Sequence, residues 1–222
     1  MAQSLKERGR KWRRSFGKSL ETPRDRFLSR LHFDWIDHAI LRHWWTNLEE
    51  IAPGVWRSNQ PGPKRLKRYK EMGITTILSL RGTPATSHYL FERKACAELG
   101  LTLVTTELHA RKPASRENLL RLFQLFREID RPFVMHCKSG ADRAGLASAL
   151  YMLSMQGATV AEARKQLSFR YLHIKHSRTG VLDYMLDVYE ARLAQGPIGI
   201  EDWIATEYDP AEITAGYAAL KG

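Results

Sequence analysis

The sequence predicts an α/β domain whose central, mainly parallel sheet is flanked by helices. Strand-like and helix-like segments alternate along its middle, which is typical of parallel sheets covered by helices on both faces. The β-branched run "ITTILSL" (74–80) and the run "LTLVTTEL" (101–108) are predicted strands. A third run, "PFVMH" (132–136), is wholly apolar, as expected of a central strand buried on both sides.

The other elements follow in chain order from their start and stop signals. A short strand is predicted within "APGVWRSNQPGP" (52–63), where glycine and proline mark the turns. The next helix opens at Pro63 and closes at Gly73, and Ser115 is the predicted N-cap of a later one. The remaining predicted helices are "ATSHYLFERKACAELG" (85–100), "RAGLASALYMLSM" (143–155) and the segments at about 159–168, 181–195 and 209–220.

Residues 1–50 are predicted to form a basic N-terminal helical extension, ahead of a domain at 51–222 that includes the C-terminal helices. The first 31 residues carry ten Lys and Arg against three acidic residues, which is +7 of the formal charge of +11. Trp12, Phe16 and Leu20 recur at every fourth position among these charges, as in basic amphipathic helices that lie on anionic membranes. A solvated arm, or a helix docked on the domain, explains the same pattern.

A second helix of this extension is predicted over residues 35–51. Its apolar residues recur at helical spacing, which favours packing against the core. They are Ile36, Ala39, Ile40 and Trp44.

The composition argues against several classes of protein. Cys96 and Cys137 are too few for a disulfide framework in 222 residues, and they favour a reducing, cytoplasmic compartment. No Cys/His cluster has metal-ligand spacing, so neither a metal nor a cofactor is predicted. No run approaches the ~20 apolar residues that span a bilayer, and the charged N-terminus lacks the apolar core of a secretory signal. A cytoplasmic protein is expected, peripheral to a membrane if the arm binds lipid.

The segment "VMHCKSGADRAGL" (134–146) joins the apolar strand to an apolar helix. The N–H groups of such a loop and of the first helical turn have no intrahelical partner, and together they form an anion-binding nest. Gly140 permits a backbone conformation closed to other residues, and Arg143 supplies a planar fork for two phosphoryl oxygens. Cys137 lies at the base of this cradle. Its pKa should fall well below the ~8.5 of a free thiol, and its thiolate can attack a phosphoryl group.

The pattern H-C-x-x-G-x-x-R is the signature of the cysteine-dependent protein tyrosine phosphatase superfamily, and "HCKSGADRAG" resembles it at every fixed position. "VWRSNQPGPKRLKRYKEMGITTILSLRG", "TGVLDYMLDVY" and "EDWIATEYDP" are similar to parts of small dual-specificity-type phosphatases of the bacterial and fungal branch. The resemblance covers roughly residues 52–210 and leaves residues 1–50 outside. It implies a tyrosine/dual-specificity phosphatase-like fold, a phosphatase domain at 51–222 and no metal.

The resemblance also implies roles for individual residues. Cys137 is the nucleophile and Arg143 the catalytic arginine, with Asp142 as a catalytic candidate beside it. His136 and Glu107 are expected to support the site, His136 by orienting the loop through hydrogen bonds. The phosphate-binding residues are Lys138, Ser139, Gly140, Ala141, Asp142 and Arg143.

The source of the proton for the leaving group is left open. The family's usual general acid is an aspartate about thirty residues upstream of the cysteine, but this chain has no aspartate between Asp37 and Asp130. The corresponding loop offers Glu107, His109 and Glu117, of which Glu117 also suits a first-turn helix carboxylate. Asp142 is the other candidate, because myotubularin-like and Sac-like phosphatases resemble it in carrying an aspartate there. Helix capping, or pairing with a neighbouring base, explains Asp142 equally well.

Two further loop residues bear on turnover and substrate. The family usually has Ser or Thr after the arginine, where this chain has Ala144, so slow hydrolysis of the phosphoenzyme is expected. Lys138 resembles the lysine of phosphoinositide 3-phosphatases, whose loop also begins His-Cys-Lys, although a lysine that points to solvent is an equal reading. Charge near the mouth is expected from Arg111, Lys112, His173, Lys175 and His176.

The predicted function is a phosphatase that hydrolyses phosphomonoesters, with phosphotyrosine protein as the first substrate class. The alternative substrates are a phosphoinositide, an inositol phosphate or another lipid phosphate, which Lys138, Asp142 and the basic arm favour. A phosphate-binding pseudophosphatase is a further alternative. The expected partners are a phosphorylated protein or lipid and a membrane surface through residues 1–31. Nucleic acid is disfavoured because no recognised binding motif accompanies the charge.

Overall fold

The computed structural model describes residues 17–37, 45–84 and 86–221. A five-stranded sheet has the strand order β1-β2-β5-β3-β4. Strands β2, β5, β3 and β4 run parallel, and β1 pairs antiparallel with β2, so the predicted mainly parallel sheet is confirmed. The strands are β1 Glu49–Ala52, β2 Val55–Asn59, β3 Thr76–Ser79, β4 Thr102–Thr105 and β5 Phe133–Cys137.

Helices cover both faces of the sheet, because successive strand residues point to opposite sides. Ile77 and Val134 pack under α2 and α3, whereas Leu78 and Met135 pack under α4, α5 and the C-terminal helices. The helices are α1 Pro23–Leu31, α2 Pro63–Glu71, α3 Ser87–Leu99, α4 Arg116–Glu128, α5 Asp142–Met155, α6 Val160–Arg164, α7 Val181–Leu193, α8 Ile200–Thr206 and α9 Pro210–Ala219. Among the described residues, no helix is both long enough and apolar enough to cross a membrane.

The predicted helix over residues 35–51 is wrong in the part that the structure describes. Residues His32–Ile36 form a π-helical turn that continues α1, and residues 49–51 belong to strand β1. Glu49 and Glu50 pair with Arg57 and Trp56 across the sheet, so ladder hydrogen bonds override the local apolar spacing. Ala39, Ile40 and Trp44 lie outside the described residues.

The described part of the N-terminal extension packs on the domain. The ring of Phe33 is 5.6 Å from that of Phe91 on α3, and His32 Nδ1 lies 2.7 Å from Ser87 Oγ. Trp12 and Phe16, on which the amphipathic pattern depends, lie outside the described residues. The sheet begins at Glu49, and contacts with the rest of the domain begin well before residue 51.

Candidate active site

Cys137 is the last residue of β5 and α5 begins at Asp142, so residues 138–141 form a loop at the carboxyl end of the sheet. Ligands of open α/β sheets bind at this end of the strands. Cys137 is only 1% exposed, at the floor of the loop. Gly140 N donates a hydrogen bond of 3.2 Å to Cys137 Sγ, which brings an inward-facing amide onto the sulfur.

Each carbonyl group of this loop accepts a hydrogen bond, three of them from residues distant in sequence and that of Ala141 from the first turn of α5. The donors are Gln60 N to Lys138 O (3.3 Å), Asn47 Nδ2 to Ser139 O (3.0 Å), Arg57 Nη2 to Gly140 O (2.5 Å) and Gly145 N to Ala141 O (3.1 Å). In a trans peptide the N–H points opposite to the C=O. The carbonyls therefore turn away from the centre of the loop, and the N–H groups line an anion-binding concavity.

Arg57, on β2, is the main brace of the loop and is fully buried. Besides its bond to the loop, it donates from Nη1 to Gln166 O at 2.8 Å and to Gln166 Oε1 at 2.7 Å. Its guanidinium stacks 3.6 Å from the ring centre of Tyr171. Burial lowers the pKa of Arg57 to about 10, a shift opposed by Tyr171 and Cys137, so the group is still charged at neutral pH. A buried positive charge close to Cys137 attracts an anion to this end of the sheet.

Gly140 is required by space as well as by backbone conformation. Its φ is +72°, and a Cβ at this position would lie 2.8 Å from Asn47 Cβ and 2.8 Å from Asn59 N. Both conditions exclude any side chain, because the loop is pressed against the end of β2.

An open pocket of about 880 Å³ lies over the loop. Five cationic side chains line it, whereas Asp142 is the only carboxylate among its described lining residues. No described residue accepts a hydrogen bond from Arg143, whose Nε is buried, so its donors are available to a phosphate. The lining residues are Trp45, His109, Ala110, Arg111, Lys112, Lys138, Ser139, Asp142, Arg143, Arg178 and Thr179.

Asp142 is held by a buried histidine. His173 Nδ1 lies 2.8 Å from Asp142 Oδ1, and His173 Nε2 lies 2.7 Å from Asp183 Oδ2. Burial lowers the pKa of His173, but the hydrogen bonds and charges of Asp142 and Asp183 outweigh it and raise the pKa to about 9. The imidazole is therefore a cation at neutral pH, clamped between two carboxylates. Asp142 faces the pocket with its side chain 20% exposed.

The upstream acid candidates lie at different distances from the pocket. His109 lines it, and burial together with the charges of Lys112 and Arg143 lowers its pKa. Glu107 is not among the lining residues, and its Oε1 lies 3.9 Å from His109 Nδ1. Glu117 is exposed in the first turn of α4, where hydrogen bonds to its own N–H and to Ser115 lower its pKa. Glu117 thus stabilises a helix end.

His136 lies behind the loop. Its Nδ1 is 3.4 Å from Cys137 O, and its Nε2 is 2.8 Å from Glu92 Oε1 on α3, at an angle outside the hydrogen-bonding range.

Lys138 faces the pocket, with its Nζ 3.6 Å from Asp37 Oδ1. Asp37 is buried and also pairs with Arg81 at 2.8 Å. Of the other predicted mouth charges, Arg111 and Lys112 line the pocket, whereas Lys175 and His176 are exposed outside it.

The sequence motif does not identify the residues that hold the loop. Arg57 and Asp183 lie in segments that resemble the family, but nothing in the sequence assigns them a role, and Asn47, Gln166 and Asp37 lie outside those segments. Asn47 reaches Ser139 across 92 positions of sequence, and Arg57 reaches Gly140 across 83. No local pattern marks such contacts. One signal in the sequence does point to Arg57: it lies on a predicted strand. A buried arginine needs hydrogen-bond acceptors, so an arginine on a buried strand indicates a structural contact.

Comparisons with known proteins agree with this geometry. Residues 51–179 match a family model described as Swiss Army Knife protein, DSP-PTPase phosphatase domain. The dual specificity protein phosphatase TpbA of Pseudomonas aeruginosa (strain UCBPP-PA14) is 28% identical over 112 residues, which are 50% of this chain and 48% of TpbA. The chain thus spans about half the length of the curated relatives it matches.

Two solved structures share the fold. P. aeruginosa TpbA in complex with pTyr has a TM-score of 0.51 and 20% identity, over 68% of this chain and 97% of that chain. The core catalytic domain of the PP-IP phosphatase SIW14 from S. cerevisiae has a TM-score of 0.51 and 14% identity, over 67% of this chain and 91% of that chain.

Replacing Gly140 by alanine should weaken phosphate binding. It should also destabilise the fold more than the same replacement at a glycine that has a positive φ but no close neighbours. Gly157 is the matched control, because its φ is +63° and nothing lies within 4 Å of a Cβ built there. We expect Gly157→Ala to cost about 1 kcal/mol of unfolding free energy. Gly140→Ala should lower the unfolding free energy clearly more than Gly157→Ala does. Inorganic phosphate should also no longer raise the melting temperature of the Gly140→Ala variant. Equal costs, with phosphate stabilisation intact, would contradict the packing of this loop.

The clamp around His173 should make stability depend on pH. The native pKa is about 9 against about 6.5 in the unfolded chain, so the native state binds the extra proton between these values. This contribution is complete below about pH 6.5, is lost as the pH rises through about 9, and is on the order of 3 kcal/mol. NMR titration of the imidazole and denaturant unfolding from pH 6 to 10 measure it. A His173 resonance that titrates at or below the value of free histidine would rule out the clamp.

Proposed function

Because the chain belongs to the DSP-PTPase phosphatase family of Swiss Army Knife proteins, we propose that it hydrolyses phosphomonoesters through a phosphocysteine intermediate at Cys137. The observation that carries the proposal is the closed loop over Cys137, with its carbonyls bonded away and its amides turned inward. A loop of this form binds a dianion and favours a thiolate by the same field.

In the first step, the Cys137 thiolate attacks phosphorus and an S–P bond forms as the ester P–O bond breaks. The inward amides and Arg143 hold the phosphoryl oxygens, and the fork of Arg143 binds two of them at once. The phosphoryl group transfers in line, so positioning and charge stabilisation supply most of the catalysis.

The leaving oxygen needs a proton, and we assign this role to Asp142. Its place in the pocket beside Arg143 and its contact with the proton-bearing His173 support the assignment. The donated proton comes from the His173 cation: Nδ1 passes it to Asp142, and Asp142 passes it to the leaving oxygen. The water that attacks in the second step returns a proton to His173 through Asp142. His109, which also lines the pocket, is the remaining upstream candidate.

In the second step, water attacks phosphorus, the S–P bond breaks and phosphate leaves with regeneration of the Cys137 thiolate. The family usually places a hydroxyl after the arginine to assist the departing thiolate. Ala144 offers none and is fully buried. Hydrolysis of the phosphoenzyme is therefore the slow step in the proposed cycle.

We propose phosphotyrosine-bearing protein as the first substrate class. The name of TpbA as a dual specificity protein phosphatase supports this class. Trp45 in the wall of the pocket also suits an aromatic phosphate, since aromatic rings stack favourably. Aryl esters depend least on the proton donor, because a phenolate leaves more readily than an alkoxide.

A second substrate class is a polyphosphorylated inositol or lipid headgroup. The five cations of the lining, Arg111, Lys112, Lys138, Arg143 and Arg178, exceed what one phosphate needs. Solved proteins of this fold include one bound to pTyr and one named as a PP-IP phosphatase, so the fold alone does not choose between the classes.

We further propose a cytoplasmic site of action, which the free Cys96 and Cys137 support, and contact of residues 1–31 with an anionic membrane. A pseudophosphatase that only binds phosphate stays the competing proposal, motivated by Ala144 and by the lack of an aspartate between Asp37 and Asp130.

A substrate panel on the wild type, Cys137→Ser and Asp142→Asn tests the activity and the proton donor. Cys137→Ser should lose turnover of every substrate and keep phosphate binding. Asp142→Asn preserves the hydrogen bond to His173 but carries no proton to donate. It should slow aryl phosphate less than about tenfold and alkyl phosphates by about 100-fold or more. Equal small losses on both would remove Asp142 from this role, and an inactive wild type that still binds phosphate would favour the pseudophosphatase.

Slow hydrolysis of the phosphoenzyme should appear as a burst of product in rapid-mixing kinetics with p-nitrophenyl phosphate. The burst should approach one equivalent per active site, because formation of the S–P bond outruns its breakage. Ala144→Ser, which restores a hydroxyl, should raise the steady rate and shrink the burst. A linear time course in the wild type would mean that the first step is the slow one.

A further inference from the structure

We propose that residues 169–178 form a membrane-docking surface beside the pocket, suited to a bilayer with anionic headgroups. Large apolar side chains are concentrated there. Of the seven that the described residues expose, three lie within six positions: Phe169 (74% exposed), Leu172 (48%) and Ile174 (54%). Clustered exposed apolar side chains mark interaction sites, whereas single exposed ones are ordinary on a protein surface.

The segment presents these side chains from a rigid base, because anchored and exposed residues alternate along it. Tyr171 is buried under Arg57, and His173 is clamped by Asp142 and Asp183. Tyr217 Oη donates to Ser177 O at 2.7 Å, which ties down the far end of the segment. Phe169, Leu172 and Ile174 therefore cannot fold inward to hide from water.

The backbone conformation of Leu172 also supports an exposed apolar surface. Leu172 has a φ of +62°, in a region that a bulky residue such as leucine rarely adopts. The turn that follows the short 3₁₀ helix at Phe169–Tyr171 turns the leucine side chain outward, where it is about half exposed. Residues favoured in this conformation are glycine and asparagine, so a large apolar side chain here serves neither the turn nor the core.

The charge around these side chains selects a lipid surface rather than an apolar protein groove. Residues 169–178 contain Arg170, Lys175 and Arg178 and no Asp or Glu. Arg170 is paired with Glu49 at 2.6 Å. Lys175 and Arg178 are exposed and form no ion pair with the described residues. Apolar side chains that enter the interface, with cations interleaved among them to meet anionic headgroups, are the pattern of peripheral membrane binding.

The surface is continuous with the mouth of the pocket. Arg178 belongs to both, and His173 links the segment to Asp142. A bilayer seated on this segment would meet the mouth, so a phosphate carried at the membrane surface could reach Cys137. This last consequence rests on the proposed function, whereas the docking itself does not.

Site-specific fluorescence on the full chain tests the surface apart from the basic arm. Ile174→Cys, in a Cys137→Ser background that leaves only the buried Cys96, carries an environment-sensitive dye. Lys94→Cys on α3, whose lysine side chain is 55% exposed, carries the same dye as a control. With vesicles of phosphatidylcholine and phosphatidylserine, the dye at 174 should shift to the blue and the dye at 94 should not. Pure phosphatidylcholine should give little shift at either position.

Substitution of the apolar side chains completes the test by sedimentation. Phe169→Ser with Leu172→Asn and Ile174→Thr should weaken the partition onto anionic vesicles by roughly tenfold or more. Asparagine suits the positive φ at 172, so the fold is preserved. Phe169→Leu with Ile174→Val, which keeps the surface apolar, should bind as the wild type does.

Three results would overturn the proposal. These are sedimentation of the chain while the dye at 174 stays in water, no sedimentation with anionic vesicles, and unchanged partition of the polar triple variant. The first would assign binding to the basic arm alone. Hydrolysis of p-nitrophenyl phosphate by the wild type without vesicles reports separately on the proposed activity, so either proposal can fail while the other stands.

Discussion

The hydrogen bonds from Arg57 to the backbone of the loop at residues 138–141 are the interaction on which the site depends. A loop of peptide units has carbonyls and amides in equal number, and it binds an anion only if the carbonyls are turned away. Arg57 turns away Gly140 O from inside the protein, while Asn47 and Gln60 do the same for its neighbours. Arg57 in turn needs Gln166 and the face of Tyr171, because a buried guanidinium without acceptors is costly. This loop is thus the inner layer of a network that reaches β2 and the segment after α6.

The charges of the site favour the dianion that the proposed activity requires. Arg57 and His173 are buried cations with acceptors of their own, whereas Arg143 has a buried donor and no acceptor among the described residues. Asp142, the carboxylate in the described lining, is already committed to His173. A buried hydrogen-bond donor without a protein acceptor carries the full cost of its desolvation. A ligand oxygen that accepts from this donor therefore contributes more binding free energy than one that bonds to an already satisfied donor.

Much of the fold could be predicted because its signals are local. Pro63, Ser115 and Gly100 mark helix ends by their own backbone chemistry, and the apolar run before Cys137 marks the central strand. The helix proposed for residues 35–51 failed because strand pairing with β2 is decided by residues distant in sequence. The same limit applies to the site. Cys137, Gly140 and Arg143 lie within one short motif, whereas the residues that brace them come from positions up to 124 apart, as Asn47 and Tyr171 do.

Asn47 gives the extension before the family-matched region a part in the site. Its Nδ2 donates to Ser139 O in the loop and to Tyr171 O in the segment beside it, and its own Oδ1 accepts from Trp45 Nε1. A fragment cut to residues 51–179 would lack this amide and leave two carbonyls to compete for the space of the incoming anion. The loop of such a fragment would be held less firmly than that of the intact polypeptide, and a mechanical load applied upstream of Asn47 would reach the loop over Cys137 through this amide.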